Sequence, residues 1–179
     1  MKRIWLACLF AALAVCPSMG QTDSADLADK IIIIPHIAIT SEIPARAQDM
    51  MLEKMKQILL RNGVVNTDGR SRFVLTVKST VTDEGWTDTA PAKYAMVVEF
   101  TFYVGDVDAG LLFANKMLRR KVAADSPEEA YLQAVKSIRS NDPTFKMLID
   151  SSKKRIIETL DAREDKLLLD GDNYNINWW

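Results

Sequence analysis

Residues that carry much of enzyme chemistry are scarce in this sequence. In 179 residues there is a single histidine, His36, and there are only two cysteines, Cys8 and Cys16. A Ser-His-Asp relay would have to pass through His36, and no G-x-S-x-G turn accompanies it. A zinc site built on imidazole or thiolate has no second ligand of either kind outside the N-terminal leader. No P-loop and no G-x-G-x-x-G motif occurs, so a nucleotide-phosphate cradle has no support. Net charge is only −1, which argues against a nucleic-acid partner, since that favours a clustered basic face. Neither cofactor nor metal is expected. Present instead is ordinary globular material, 48% hydrophobic and 26% charged, in an amount suited to one domain.

The chain opens with an address. Met1-Lys2-Arg3 is a positive start, Ile4 to Val15 is an uncharged apolar run, and Pro17 ends it. The run is shorter than the roughly 20 residues that span a bilayer, so residues 1–20 read as a secretory signal peptide. Ser18-Met19-Gly20 places small residues at −3 and −1, favouring cleavage before Gln21. The competing site is Leu13-Ala14-Val15-Cys16, which resembles a bacterial lipobox with Val15 where a small residue is usual. Used, it would give an outer-membrane lipoprotein anchored at Cys16. Cleavage before Gln21 leaves 159 residues, net charge −3 and no cysteine, hence no disulfide, thiol nucleophile or thiolate ligand. Such a chain, periplasmic or secreted, must rely on its core, and at this length it can.

Residues 21–29 read as a polar tether, 30–162 as a single α+β domain and 163–179 as a C-terminal tail. Ile31 to Ile34 suggest a strand buried on both faces, bent or brought to an edge at Pro35. Ser41 is positioned to cap a helix with Pro44 in its first turn and a stripe of Ala47, Met51, Met55, Ile58 and Leu59, stopped by Asn62-Gly63. Phe73, Leu75 and Val77 alternate, as do Tyr94, Met96, Val98, Phe100, Phe102 and Val104, and Asp106 to Gly110 turns into a last strand, Leu111 to Val122. Ser126-Pro127-Glu128-Glu129 starts a helix striped by Tyr131, Ala134, Val135 and Ile138. Asn141-Asp142-Pro143 starts another, striped by Phe145, Leu148, Ile149, Ile156 and Leu160 up to Arg163. The order β-α-β-β-β-α-α predicts a two-layer sandwich with a mostly antiparallel sheet, the first helix crossing over to set strand one parallel to a neighbour.

A few residues stand outside these stripes. Asp106-Val107-Asp108 opens like a calcium loop, but Leu111 and Met117 occupy the places of its glycine and glutamate, so a tight turn suffices. Lys116, Arg119, Arg120 and Lys121 form one basic cluster, and Lys153, Lys154 and Arg155 another. Either would suit the phosphates of an anionic lipid or glycan, or else form a solvated edge that discourages aggregation. Trp86 sits in a loop read as Thr82 to Pro91 and is a candidate partner contact, with folding back over the sheet as the equal alternative. Trp178 and Trp179 pose the same choice.

Ile43-Pro44-Ala45-Arg46-Ala47, Arg72-Phe73-Val74-Leu75-Thr76, Thr89-Ala90-Pro91 and Ser126 to Tyr131 together resemble uncharacterised exported proteins of Gram-negative gut bacteria. More distantly, the order of elements from Lys30 to Leu160 is similar to the small α/β domain of the curli secretion channel and of lipoproteins that activate penicillin-binding proteins. The resemblance implies a fold far more than an activity. Taken together, the expectation is an exported, non-enzymatic binding or assembly protein of the cell envelope, its partner an envelope protein or glycan. A homo-oligomer, ring or fibre, is a further possibility, and a small hydrolase using carboxylates such as Glu99 and Asp106 is the alternative.

Overall fold

The computed structural model describes residue 28 and residues 30–38, 42–64 and 70–171, with side chains as far as residue 163. The leader with Cys16, the cut before Gln21, most of the tether, Ser41 and the pair Trp178 and Trp179 lie outside the described residues. The elements are β1 (Ile34–Pro35), α1 (Ala45–Arg61), β2 (Phe73–Trp86), β3 (Tyr94–Asp106), β4 (Leu111–Ala124), α2 (Pro127–Lys136) and α3 (Pro143–Gly171). This is the expected α+β order.

The sheet runs β1-β2-β3-β4. β1 lies parallel to β2, and the other neighbours are antiparallel. Connections of a few residues allow the antiparallel pairs, whereas the parallel pair needs the α1 crossover. β1 is an edge strand, not the doubly buried inner strand that four isoleucines suggest. Only Ile34 and Pro35 pair, with Val74 and Leu75. Ile33 is fully buried while Ile32 is 36% exposed, so the run alternates like any half-covered strand. Pro35 has no N–H to donate, which suits it to this edge.

One face of the sheet carries the helices. Met96, Val98, Phe100, Phe102 and Val104 of β3 point into them, as do Leu75 and Val77 of β2. α1 buries the predicted stripe of Ala47, Met51, Met55, Ile58 and Leu59. Its cap position holds Pro44, and no side chain caps it. At its other end Asn62 Nδ2 donates to the Ile58 carbonyl at 2.7 Å, and Gly63 turns the chain with φ +79°.

Ser126 caps α2 by accepting the Glu129 N–H at 3.2 Å. Asp142 opens α3, its Oδ1 accepting the Thr144 N–H at 2.9 Å and the Thr144 hydroxyl at 2.7 Å. Those bonds outweigh the modest effect of burial, so its carboxyl titrates below the ordinary aspartate range, with Arg120 and Lys116 adding to the shift. α3 continues past Arg163, where the apolar pattern fades, to Gly171.

Aromatic rings lock the two layers. Phe102 meets Phe145 edge-on at 5.1 Å between centroids, and Phe100 meets Tyr131 at 6.0 Å. The Tyr131 hydroxyl donates to Ser79 Oγ at 2.7 Å across the buried interface. Burial holds that phenol above its ordinary pKa.

Candidate functional site

The candidate site is the far end of the β2–β3 hairpin together with the two free edges of the sheet. The residues Thr82 to Trp86, read from sequence as loop, are the last turn of a long strand: β2 runs to Trp86, which pairs with Tyr94. Pairing survives because a register shift between Val81 and Asp83 absorbs one extra residue. Beyond Ser79 every β2 side chain is exposed, whereas Met96 and Val98 on the adjoining half of β3 stay buried in the core, so this end of the hairpin is uncovered along its β2 edge.

Trp86 stands 60% exposed, its ring edge-on to Tyr94 at 5.4 Å. Glu84 accepts the Tyr94 hydroxyl hydrogen bond, and its negative charge adds to the effect, holding that phenol above its ordinary pKa. The tip is knitted by its own polar groups. The Thr87 N–H donates to the Lys93 carbonyl at 2.8 Å, and the Lys93 N–H to Thr87 Oγ1 at 2.9 Å. Thr87 and Thr89 share a hydroxyl contact at 2.7 Å, Thr89 Oγ1 donates to the Pro91 carbonyl at 3.0 Å, and Ala90–Pro91 is cis. Lys93 pairs with Asp125 at the end of β4. The indole therefore sits on a tip held by several short-range bonds.

The basic cluster of β4 is not one patch. Alternation turns Arg119 and Lys121 to the open face, opposite Glu99 and Val97, and Lys116 and Arg120 to the helix side, opposite Phe102 and Val98. Arg119 lies 3.8 Å from Glu99. The second cluster is largely structural. Lys153 is buried and donates to the Gly63 carbonyl at 3.1 Å, and Arg155 donates to the Phe113 carbonyl, leaving Lys154 at the surface beside Glu158.

Glu99 and Asp106 do not form a catalytic pair. Seven residues apart on one regular strand, they point to opposite faces and lie about 23 Å apart at 3.3 Å per residue, far beyond the ~5–10 Å a glycosidase needs. Glu99 faces Arg119, whereas Asp106 is buried and saturated. Its Oδ1 accepts the N–H groups of Asp108 (3.0 Å) and Ala109 (3.1 Å), and its Oδ2 accepts from Arg72 Nε at 2.9 Å and from Nη2. Burial alone would raise the Asp106 carboxyl, but the Ala109 amide and the Arg72 guanidinium outweigh it and hold it below the ordinary range.

The calcium-like spacing of Asp106 and Asp108 is thus that of a turn. Among the described residues no three of His, Cys, Asp and Glu gather as metal ligands. His36 is exposed at the end of β1, where its backbone N–H donates to the Leu75 carbonyl at 2.9 Å. A cleft of about 510 Å³ between β1, the start of β2 and α3 has an apolar floor of Ile31, Phe73, Ile157 and Leu160 with Arg70 and Arg72 at its rim. Its one hydroxyl, on Ser71, is committed to the Ile32 carbonyl at 2.6 Å. No helix among the described residues is long and apolar enough to cross a membrane.

What the sequence did not reveal is a matter of register. Val97 of β3 pairs with Asp83 on one side and Lys121 on the other, placing an acid and a base level with each other on the two flanks of β3. Only the register shift at Val81/Asp83 brings Asp83 to that level.

No family model matches this chain, and no curated protein does. Solved structures of similar chain path include a minor lipoprotein from Acinetobacter baumannii, 17% identical with a TM-score of 0.37, covering 74% of this chain and 93% of that one. A putative lipoprotein from Caulobacter crescentus is 12% identical with a TM-score of 0.38, covering 80% and 95%. A PelC variant from Paraburkholderia phytofirmans, described as a dodecamer, is 16% identical with a TM-score of 0.39, covering 68% and 85%.

Proposed function

We propose that this protein is an exported component of the cell envelope that acts by binding or assembly rather than by catalysis, with the Trp86 hairpin as its contact surface. The observation that carries this reading is a tryptophan 60% exposed on a tip held by its own hydrogen bonds. Leaving so much indole in water is unfavourable, and a preordered tip loses little entropy when covered. Tryptophan is among the residues that most often dominate binding energy once buried in a partner's pocket. The leader supports export. Trp178 and Trp179 extend the proposed contact inventory.

The test is a photo-crosslinking amino acid placed at Trp86 in the full chain, expressed with its leader in a Gram-negative host. A control carries the same group at Thr159 on α3. A discrete cross-linked product at Trp86 that is missing at Thr159 is expected. No product at Trp86, or the same products at both positions, would overturn the assignment.

A further inference from the structure

The sheet has two unlike free edges, and their charges are opposite. Among the described residues β4 has a strand neighbour on one side only, so no strand of theirs pairs with the outer backbone of Leu111–Ala124. β2 is covered by β1 only at Val74 and Leu75, with the His36 N–H adding one more bond to Leu75. From Thr80 to Trp86 its outer side has no strand neighbour among the described residues. The β4 edge carries Lys116, Arg119, Arg120 and Lys121, and the free half of β2 carries Asp83 and Glu84, with Asp88 in the turn beyond.

Two β4 edges brought together would set bases against bases, and two β2 edges acids against acids, both unfavourable across strands. β4 against β2 of another copy sets base against acid. The register supports the same pairing. β2 and β4 are both antiparallel to β3 and hence parallel to each other. A second copy that continues the sheet without slipping along the strands brings its Asp83 level with Lys121 of the first, because both residues partner Val97 within one chain. The two side chains also point to the same open face, since each shares the side of Val97. Its Trp86 comes level with Ala124, both being partners of Tyr94.

We infer that the upper half of β2, with Asp83, Glu84 and Trp86, docks on the basic β4 edge of a second copy of this chain. The contact is head-to-tail, so repetition closes a ring or extends a filament. This deepens the proposed function, whose partner it identifies as another copy.

Charge reversal tests it on the mature chain. Asp83→Lys/Glu84→Lys and Arg119→Glu/Lys121→Glu, each folded by circular dichroism, are expected to run as monomers where the wild type runs as an assembly. Mixed in equal amounts they re-form the assembly, because each variant's altered strand then meets its complement. A geometric test is independent of charge. Residues 21–179 contain no cysteine, so single variants Asp83→Cys and Lys121→Cys cross-link only between copies. In one chain the two sites lie two strand spacings apart, about 9.6 Å, too far for a disulfide. On mixing, the Asp83–Lys121 disulfide is expected to dominate over either homodimer.

A wild-type monomer, variants that stay assembled, or a mixture that stays monomeric would each overturn the inference. If the purified protein is monomeric while the Trp86 photo-cross-linker captures a different envelope component, only the self-docking fails and the binding role stands.

Discussion

Asp106 shows how far a residue's neighbours change its meaning. From sequence it is half of a calcium-like pair or one carboxylate of a hydrolase, yet it is the buried anchor of the β3–β4 turn. Arg72, its ion partner, also lies over the Phe73 ring at 5.1 Å. Asp106→Ala strands that guanidinium and two backbone donors, and is expected to cost about 3 kcal/mol in urea unfolding at pH 7. Because the folded carboxyl titrates below its unfolded value, its stabilisation is fully present above the ordinary aspartate pKa of about 3.9 and is lost as pH falls through the folded value. The gap between wild type and Asp106→Ala should therefore narrow below pH 4, and a gap constant down to pH 2 would refute the ion-pair account. Tyr131→Phe leaves the Ser79 hydroxyl without its donor and is expected to cost about 1–2 kcal/mol by the same measurement. Neither partnership was legible in the sequence, since each joins residues 34 or 52 positions apart.

Elements whose pattern reports a single covered face were read well. The stripe of α1, the alternation of β3 and the Ser126 start of α2 all reappear as burial and capping. Ser126→Ala removes the acceptor for the Glu129 N–H and is expected to lower stability by about 1 kcal/mol, read as a shift in the urea midpoint. β1 was misread because four isoleucines in a row obscure alternation: composition resembles double burial while geometry exposes Ile32. The end of α3 was misplaced for the opposite reason. Glu164 to Asp170 lacks an apolar stripe but is rich in good helix formers, so propensity extends a helix that patterning would stop. A third misreading, the loop at Thr82, came from acids and glycine in what is strand, stabilised by pairing with β3 rather than by its own preference. The register shift between Val104 and Gly105 adds a constraint invisible in the pattern. A Cβ on Gly105 would lie 2.8 Å from the Leu111 carbonyl oxygen, a backbone atom that cannot step aside. Gly105→Ala is expected to destabilise by about 1–3 kcal/mol, and a neutral effect would show that the bulge relaxes freely.

At the scale of the molecule, the strongest expectations concern destination and company. Intact mass of the exported protein should correspond to a chain beginning at Gln21, and a lipid-bearing chain beginning at Cys16 would move the search for partners to membrane complexes. Sheet order was legible because short turns leave few alternatives, but the facing of Asp83 and Lys121 across Val97 needed a register that periodicity does not supply. One feature also sets a clock. β3 is flanked along its whole length, whereas β1 is held at two positions. Amide hydrogens of Val98 to Val104 point alternately into the β2 and β4 ladders, and each exchanges with deuterated water only when its ladder opens in the middle of the sheet, while those around Ile34 need one short contact to part. Residue by residue, deuterium uptake should start at β1 and reach the middle of β3 last, so that β3 alone times the opening of the entire fold.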